Sequence, residues 1–565
     1  MILKIKLFAI TCLLGSLFGY VIDIGGVYFD EQDFYSKYSK SEWVKSSLGQ
    51  KDRILKDYVK RESASLAAAK DGFLFDPIIK NKIFNVENQI LVNLVYDYTV
   101  AFPLISRESL ALSQTNLKKD VFIKHLLVAH DASVLSSPPQ RSEEEALKLI
   151  NSIKDSLNLK TLSFEGFSKK YSDDPSASRN GGVLGWLQWG VTPMSFQSSV
   201  WSLDVGETSG IIDTEYGFHL VVVDSVRSSE FASYDKDSYE YAVRRSSLVS
   251  VRDLLKDASF AYDRETLGER VVFFDEQISS LFEKILESKK QLSSTGQSFY
   301  LVDFLKSLDV GYVLCSVDGG LYGPKWLLPE ISQYPKSKIP ELLSVSDLIA
   351  FMQNIIMQKI AIIDGLEMGI VNNLYFKKRV GVEQSKILYD SYLKHLVNSV
   401  DSPDSSLVES YYNKNKEEKY FDPEKVLVRQ IKVASKDLSD SLYFLLEKDI
   451  SLFKTLSSDF SLAYSKTEGL MDPFERGKFN YLGERAFELN VGDFSRPIEN
   501  PDKTFSIILI EEKIDKQIVP LDRVYKRIES LLIKESQEKI KKSTFDFFIN
   551  NPELRLGDKY EKFYN

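Results

Sequence analysis

Cysteine and histidine are scarce in this chain of 565 residues, which has two cysteines and four histidines. Cys12 lies in an apolar N-terminal run, so Cys315 is alone in the rest of the chain. A single cysteine cannot form an intramolecular disulfide and cannot build a metal site by itself. The HExxH spacing of metalloproteases is absent and no Ser–His–acid set is evident, so hydrolase and metalloenzyme functions lack a motif.

A basic stripe is also lacking. The chain has 72 Lys and Arg against 81 Asp and Glu, a net charge of −9, and the basic residues are scattered among acids. This distribution argues against nucleic-acid binding. The hydrophobic share of 43% and the charged share of 27% are ordinary for a globular protein. The length exceeds what one core supports, so we expect three or more domains.

The N-terminus has the pattern of an export signal. Lys4 and Lys6 precede an apolar run over residues 7–22 that stops at Asp23. The run is shorter than the roughly twenty residues of a spanning helix. No small-x-small cleavage site is present, so an uncleaved membrane anchor stays open, as do a lipid-modified Cys12 and a buried N-terminal helix. Export without disulfides predicts a bacterial envelope protein, periplasmic or anchored to the inner membrane.

The two halves of the chain share one pattern. In the first half an amphipathic helix ends near Gly72, a second helix follows, and then the strand IKHLLV. In the second half a helix ends at Gly369, another follows, and then VLVRQIKV. Downstream, LDVGETSGIIDTEYGFHLVVV pairs with LNVGDFSRPIENPDKTFSIILI, and a charged helix follows each. These matches predict a tandem duplication.

The pattern predicts seven segments. They are a signal peptide or membrane anchor at 1–22, a helical segment at 23–119, a first module at 120–227, a helical connector at 228–300, a second helical segment at 301–421, a second module at 422–515 and a C-terminal helix at 516–565.

The three segments IKHLLVAH, FSKKYSDDPSASRNGGVLGWLQWG and VGETSGIIDTEYGFHLVVV resemble, in this order, the parvulin-type (PpiC, rotamase) peptidyl-prolyl cis/trans isomerases. The resemblance covers roughly a hundred residues. The helices around the modules resemble the SurA, PrsA and PpiD group of envelope folding factors. The resemblance implies an α+β fold with two parvulin-like modules embedded in helical chaperone-like segments. Each module is a small, mostly antiparallel sheet with flanking helices. The resemblance also implies a reaction without cofactor or metal.

The resemblance implies a site in the first module. His125 and His219 lie in apolar, β-branched runs that indicate strands, at the positions of the family's paired histidines. Asp174 takes the place of the family's Cys or Asp over the groove, although Asp-Asp-Pro is also an ordinary turn. A lone strand histidine is usually structural, but two at the family's positions point to catalysis. The implied proline pocket consists of Leu184, Thr192, Met194, Phe196 and Tyr216.

The loop after the first strand, DASVLSSPPQRSEEEA, holds Arg141 alone among acids. Relatives that recognise phosphorylated Ser-Pro carry a cluster of Lys and Arg there, so we expect general X–Pro specificity. His130 lies at the start of this loop, where it is either a further member of the site or an exposed loop residue.

The second module is a degenerate copy. Gln430 stands in the place of His125, Ser506 in the place of His219, and Ala463 opposite Asp174 if no gap intervenes. All three polar groups are replaced while the apolar strands remain, so we expect this module to be inactive.

The sequence thus predicts an exported peptidyl-prolyl isomerase and chaperone with catalysis in the first module only. The predicted partners are unfolded or nascent exported proteins with X-Pro bonds, with a membrane reached through the N-terminal segment and no nucleic acid. The alternative is a non-catalytic holdase or scaffold that uses its modules for peptide binding.

Overall fold

The computed structural model describes residues 20–159, 162–308, 313–332 and 341–564. These residues form two compact units, one from the described parts of 1–393 and 546–565 and the other from 394–545. The predicted signal or anchor lies outside the described residues except for positions 20–22. Val21 and Ile22 are buried, and Ile22 begins the first strand, so the end of the apolar run belongs to a folded core.

The helices are α1 Glu31–Tyr35, α2 Lys40–Lys45, α3 Leu48–Lys70, α4 Pro77–Tyr96, α5 Arg107–Asn116, α6 Glu143–Asn158, α7 Phe164–Tyr171, α8 Ala177–Asn180, α9 Met194–Trp201, α10 Lys236–Ser247, α11 Leu255–Arg270, α12 Asp275–Ser294, α13 Leu301–Ser307, α14 Leu328–Ile331, α15 Val345–Glu367, α16 Leu374–Asn398, α17 Ser405–Lys419, α18 Lys436–Lys448, α19 Phe453–Phe460, α20 Asn480–Glu488, α21 Leu521–Ile549 and α22 Tyr560–Tyr564.

The strands are β1 Ile22–Ile24, β2 Val27–Phe29, β3 Lys119–Val128, β4 Val183–Leu187, β5 Ile212–Thr214, β6 Gly217–Ser228, β7 Val271–Phe273, β8 Cys315–Val317, β9 Gly320–Tyr322, β10 Phe421–Asp422, β11 Lys425–Val433, β12 Phe474–Glu475, β13 Ile498–Glu499, β14 Phe505–Ile514, β15 Gln517–Ile518 and β16 Leu554–Leu556. The described strands pair antiparallel in small sheets. The predicted α+β class is confirmed.

The first unit holds a four-stranded sheet in the order β4-β3-β6-β5. Leu126 and Val128 of β3 face α6 and α7, where they pack with Ile150 and Phe167. The opposite face carries the alternate residues of the same strands and packs with α9 and Trp189. Because side chains alternate along a strand, His125 lies on this second face.

Two three-stranded sheets also belong to the first unit. The hairpin β1–β2 is extended by β16, and the hairpin β8–β9 is extended by β7. The first sheet packs with α1 to α3 around Phe34, Trp43 and Tyr58. The second packs with α12, α13 and α15 around Leu281 and Met352. Segment 516–565 therefore contains the strand β16 in addition to its long helix.

Helix α15 is the one described helix whose length and apolar composition would allow it to cross a membrane. Many of its apolar residues are buried within the first unit. Leu348, Met352 and Ile355 lie in the core beside β8, and Ala361 packs against α4. Part of the apolar surface of this helix is therefore covered by the protein itself.

The second unit holds a sheet in the order β12-β11-β14-β13, flanked by α18, α19 and α20. Its register repeats that of the first sheet. The β3–β6 pair has a bulge between Phe122 and Ile123, and the β11–β14 pair has one between Leu427 and Val428. Phe122 and Leu427, after which the bulges occur, lie three residues before His125 and Gln430, which identifies these two positions as equivalent.

Candidate active site

The strand register brings the two histidines together. Leu127 on β3 is opposite His219 on β6, and His125 is opposite Val221, so the histidines are diagonal neighbours on one face. Their ring centroids are 5.7 Å apart with the planes at 24°. Both residues are only 6% exposed, so they lie at the floor of the site.

Asp174 completes the cluster. Its Oδ2 lies 2.6 Å from His125 Nε2, and its Oδ1 accepts from the backbone N–H of Ser176 at 2.8 Å. Burial of the carboxyl would raise its pKa, but the hydrogen bonds from His125 and Ser176 outweigh burial and lower the pKa below its usual value. Asp174 is therefore ionised at neutral pH. It accepts the hydrogen bond, so the proton of that bond is on His125 Nε2.

His219 is held as a neutral imidazole. Burial lowers its pKa to about 3, and the neighbouring His125 acts in the same direction. Its Nε2 lies 2.8 Å from Thr214 Oγ1 at the end of β5. The Phe196 ring meets the imidazole edge-on, with centroids 5.4 Å apart. The apolar surround and a hydroxyl partner explain why this ring stays uncharged.

The acidic turn is bound to strand β3 through its backbone. Asp173 N–H donates to Leu127 O at 2.8 Å, and the Ser172 hydroxyl accepts from Leu127 N–H at 3.1 Å. The Asp173 carboxylate accepts from Ala129 N–H at 2.8 Å and pairs with Arg141. Arg141, alone in its loop, is thus engaged by the turn. These contacts hold Asp174 over the histidines.

A glycine permits the close approach of the next segment. His125 N–H donates to Gly182 O at 2.8 Å, and Gly182 has φ +81°. A Cβ at this position would lie 2.1 Å from His125 O and 2.2 Å from Ser168 Oγ. Only glycine combines this backbone angle with this contact. Gly182 is therefore a packing feature beside the histidine.

The predicted pocket residues lie at different depths. Phe196 is buried at 5% exposure, and Leu184 and Tyr216 are each 40% exposed. Met194 is half-buried beside the Phe196 cluster, and its sulfur accepts from Gln197 Nε2 at 3.5 Å. Thr192 Oγ1 is buried without a hydrogen-bond partner among the described residues. Of the five, Phe196 is the residue whose ring contacts His219.

The other residues near the site have separate partners. His130 packs its ring 5.9 Å from Phe218, and its backbone N–H donates to Ser133 Oγ. Trp189 is a core residue whose Nε1 donates to Ser113 Oγ at 2.8 Å. Thr214 is a site residue that the sequence prediction missed. The hairpin formed by β5 and β6 could have indicated it. Ile212 pairs with His219 in this hairpin, so the hydroxyl of Thr214, two residues on, lies beside the imidazole.

The second module has the same backbone and different side chains. Gln430 N–H donates to Gly469 O at 2.8 Å, Lys432 N–H donates to the Ser461 hydroxyl at 2.9 Å, and Leu462 N–H donates to Lys432 O at 2.7 Å. These bonds repeat those of the first module, so Leu462 stands at the position of Asp173 and Ala463 at that of Asp174.

Neutral groups replace the histidines in the second module. Gln430 Nε2 donates to Ser506 Oγ at 2.8 Å, and Asn500 Nδ2 donates to the same oxygen at 2.7 Å. Ile498 pairs with Ser506 as Ile212 pairs with His219, so Asn500 takes the place of Thr214. The loop after the strand is reduced to Ala434 and Ser435, because α18 begins at Lys436.

Metal ligation has no visible basis in this arrangement. Within the described ranges, no group of three or more His, Cys, Asp or Glu side chains could hold an ion. What the first site offers is one carboxylate and two imidazoles on an apolar floor.

Comparison with known proteins identifies both modules. Residues 110–227 and 403–526 each match the PPIC-type PPIase domain. The foldase protein PrsA of Geobacillus kaustophilus is 34% identical over 101 residues, 17% of this chain and 36% of that protein. The chaperone SurA of Alcanivorax borkumensis is 30% identical over 111 residues, 20% and 24% of the two chains.

A probable parvulin-type peptidyl-prolyl cis-trans isomerase of Bordetella pertussis is 25% identical over 235 residues, 40% of this chain and 84% of that protein. A solved SurA-like chaperone of Campylobacter jejuni aligns with 42% of this chain and 97% of its own, at 20% identity and a TM-score of 0.30. The chain spans well under half the length of the PrsA and SurA proteins it matches. The chain therefore contains two PPIC-type PPIase domains and is a homologue of the PrsA and SurA foldases and of parvulin-type isomerases.

Proposed function

We propose that the protein is an exported peptidyl-prolyl cis/trans isomerase and chaperone whose catalysis is confined to the first module. The observation that carries this proposal is the cluster of His125, Asp174 and His219 on one buried face. Its relatives among the parvulin-type isomerases and PrsA and SurA foldases support the same activity.

The proposed mechanism needs no covalent step. The prolyl ring enters the apolar pocket beside Phe196, with Leu184, Thr192, Met194 and Tyr216 around it. The ionised Asp174 lies near the substrate carbonyl, where a negative charge opposes the charge separation of the planar amide and favours the twisted state. The neutral His219 and the Asp174-bound His125 provide a rigid floor that excludes water.

The energies required are modest. The uncatalysed rotation has a barrier of about 18–20 kcal/mol, and a million-fold acceleration requires about 8 kcal/mol. Burial of the proline ring contributes about 2 kcal/mol to substrate binding, in the ground state and the transition state alike. The reduction of the barrier comes from electrostatics in a desolvated site, without proton transfer. Because Arg141 is paired with Asp173, we expect no preference for phosphorylated Ser-Pro.

A direct test uses the full chain. A protease-free assay measures cis-to-trans conversion of an X–Pro peptide by wild type and by the His125→Ala, His219→Ala double variant. We expect the double variant to lose the acceleration while its secondary structure is retained. Unchanged activity in a folded double variant would remove catalysis from this site.

The chaperone part of the proposal rests on exposed apolar side chains in the first unit. Phe75, just before α4, and Ile78 and Phe84 on α4 are 82%, 69% and 55% exposed. Such a surface binds unfolded chains weakly. We expect the full chain to suppress aggregation of a denatured protein, and the histidine double variant to do so equally well.

The alternative function is a non-catalytic holdase or scaffold. The self-contained polar network of the second module favours a binding or spacing role for that module. An inactive wild-type chain that still suppresses aggregation would establish the alternative.

We propose export to the bacterial cell envelope. Residues 20–22 belong to the folded unit, which leaves residues 7–19 as the apolar region, a length typical of signal peptides. The mass of the mature protein, measured separately from membrane and soluble envelope fractions, distinguishes a cleaved signal from an anchor.

A further inference from the structure

The helical parts of the two halves correspond position by position. Helices α3 and α15 begin and end 297 positions apart (48 to 345, 70 to 367). Each starts with a capping box, from Ser47 in α3 and Ser344 in α15. After each comes a glycine with positive φ, Gly72 and Gly369. Helices α4 and α16 begin at the same spacing (77 to 374).

Each of these helices packs against a helix of the other half. Helix α3 packs with α16, and helix α15 packs with α4. Ala68 of α3 packs with Leu388 of α16. At the positions 297 residues on, Gly365 of α15 lies against Leu91 of α4, where an added Cβ would be 2.6 Å from the Leu91 side chain. The same small-on-large contact therefore occurs twice, with the two halves exchanging roles.

The surrounding residues follow the same rule. One cluster combines Ile90 and Leu91 with Ile370, Phe376 and Val380 of the second half. The other combines Ile387 and Leu388 with the counterparts Phe73, Ile79 and Ile83 of the first half. This is the pattern of a two-fold pair, in which contact i–j is repeated as contact j–i.

The edge strands are exchanged in the same way. Strand β7, which follows the first module, extends the hairpin β8–β9 of the second half. Strand β16, which follows the second module, extends the hairpin β1–β2 of the first half. Leu554 is paired with Ile24, and Val271 is paired with Val317, which are corresponding positions of the two sheets.

Each exchanged strand brings a helix into the core of the other half. Phe563 of α22 stacks on Trp43 with centroids 4.8 Å apart and also contacts Phe34. In the other sheet, Ile278 and Leu281 of α12 are fully buried in the core built around α15. Without the exchanged segments both hairpin cores would be open to water.

We infer that the chain is a covalently linked, strand-exchanged pair, in which residues 20–296 and 297–564 are complementary halves and each completes the hairpin domain of the other. The surface that each half presents to the other fits a second half of the same fold. The inference is independent of isomerase activity. It gives the catalytically degenerate half a role, because its helices and C-terminal strand complete the fold of the half that carries His125.

The experiment uses the full chain with a specific protease site inserted at Gly296, in an exposed turn after α12. The background carries Cys12→Ser and Cys315→Ala. Two test variants place cysteines at paired positions of the exchanged strands, Ile24→Cys with Leu554→Cys, and Val271→Cys with Val317→Cys. Both are pairs without mutual hydrogen bonds, where the Cα atoms are close enough for a disulfide.

After cleavage we expect the two fragments to elute together at the mass of one chain. Oxidation should link the fragments in both test variants, as seen on a non-reducing denaturing gel. The matched control, Ile24→Cys with Val271→Cys, represents strands that stay within one half, and both of its thiols should remain free to react. Separation of the cleaved halves without denaturant, or oxidation of the control pair in place of the test pairs, would overturn the inference.

Discussion

The two modules share a backbone and differ in chemistry. Strand order, bulge position and the close-approach glycine are the same, as Gly182 lies against His125 O and Gly469 against Gln430 O. The turn that carries Asp174 in the first module and its counterpart at Leu462 and Ala463 in the second are bound to their strands by equivalent backbone hydrogen bonds. The differences are concentrated in the polar side chains of the site and in the loop after the first strand. The fold therefore does not depend on the residues that perform the proposed reaction.

The second module also shows how a buried polar site is satisfied when its histidines are replaced by neutral side chains. Gln430, Ser506 and Asn500 bond to one another, so the polar groups that replaced the histidines are paired. In the first module, His125 Nδ1 and His219 Nδ1 are buried and have no hydrogen-bond partner within the described part of the chain. Unpaired buried groups are costly and are typical of functional sites.

The largest expected effect comes from giving the first module the second module's residues. The triple variant His125→Gln, Asp174→Ala, His219→Ser should lower kcat/KM for an X–Pro peptide at least about 100-fold, or about 2.7 kcal/mol. The reason is that the charge and both imidazoles are removed while the backbone is retained. The full-chain peptide assay measures it. Gln430→Ala serves as the control and should leave kcat/KM unchanged; a triple variant as active as wild type contradicts the comparison.

A second prediction concerns pH. The His219 pKa is about 3 in the folded state and about 6.5 when unfolded, so between these values the unfolded chain binds a proton that the folded chain does not. The free energy of unfolding is therefore not reduced by His219 above about pH 6.5, and it decreases as the pH falls below that value. Between pH 7 and pH 5 the loss should be about 2 kcal/mol.

Hydrogen exchange of the β3 and β6 amides at the two pH values gives this loss. His219→Ser should remove this loss of stability between pH 7 and pH 5. The strands of the second module should show the same exchange protection in wild type and variant. An equal loss in wild type and variant would show that His219 is not the responsible group.

Gln430→Ala should destabilise the second module by about 1.5 kcal/mol, because Ser506 and Asn500 lose a buried partner. Faster hydrogen exchange in β11 and β14 is the expected readout, with the β3 and β6 amides unchanged. The exposed substitution Lys466→Ala is the matched control. No change in exchange would mean that the neutral network does not support the fold.

The smallest expected effect is that of Asp174 alone. Asp174→Ala should lower kcat about tenfold with little change in KM, which corresponds to about 1.4 kcal/mol of transition-state stabilisation. Asp174→Glu, which keeps the charge, should recover part of the rate. A variant that loses affinity at constant kcat would instead place Asp174 in ground-state binding.

Much of this protein could be predicted from local sequence. Apolar, β-branched runs around His125 and His219 predicted strands, and a strand's period of two residues then put both histidines on one face once their register was set. The fold class and the two domains are confirmed because each module carries its own strand and turn patterns within about a hundred residues. The positions of Gln430, Ser506 and Ala463 followed from the same local matches.

Only the tertiary structure decided the long-range features. Thr214 is the partner of His219, and Arg141 is the partner of Asp173. Strand β7 pairs with β8, and strand β16 pairs with β1. Each of these contacts depends on segments that meet only after folding. Val21 and Ile22 show the same limit, since an apolar residue has one composition whether it ends a signal or begins a buried strand. Local sequence specifies periodicity and turn chemistry, whereas the choice of pairing partner is a free-energy comparison over the whole chain.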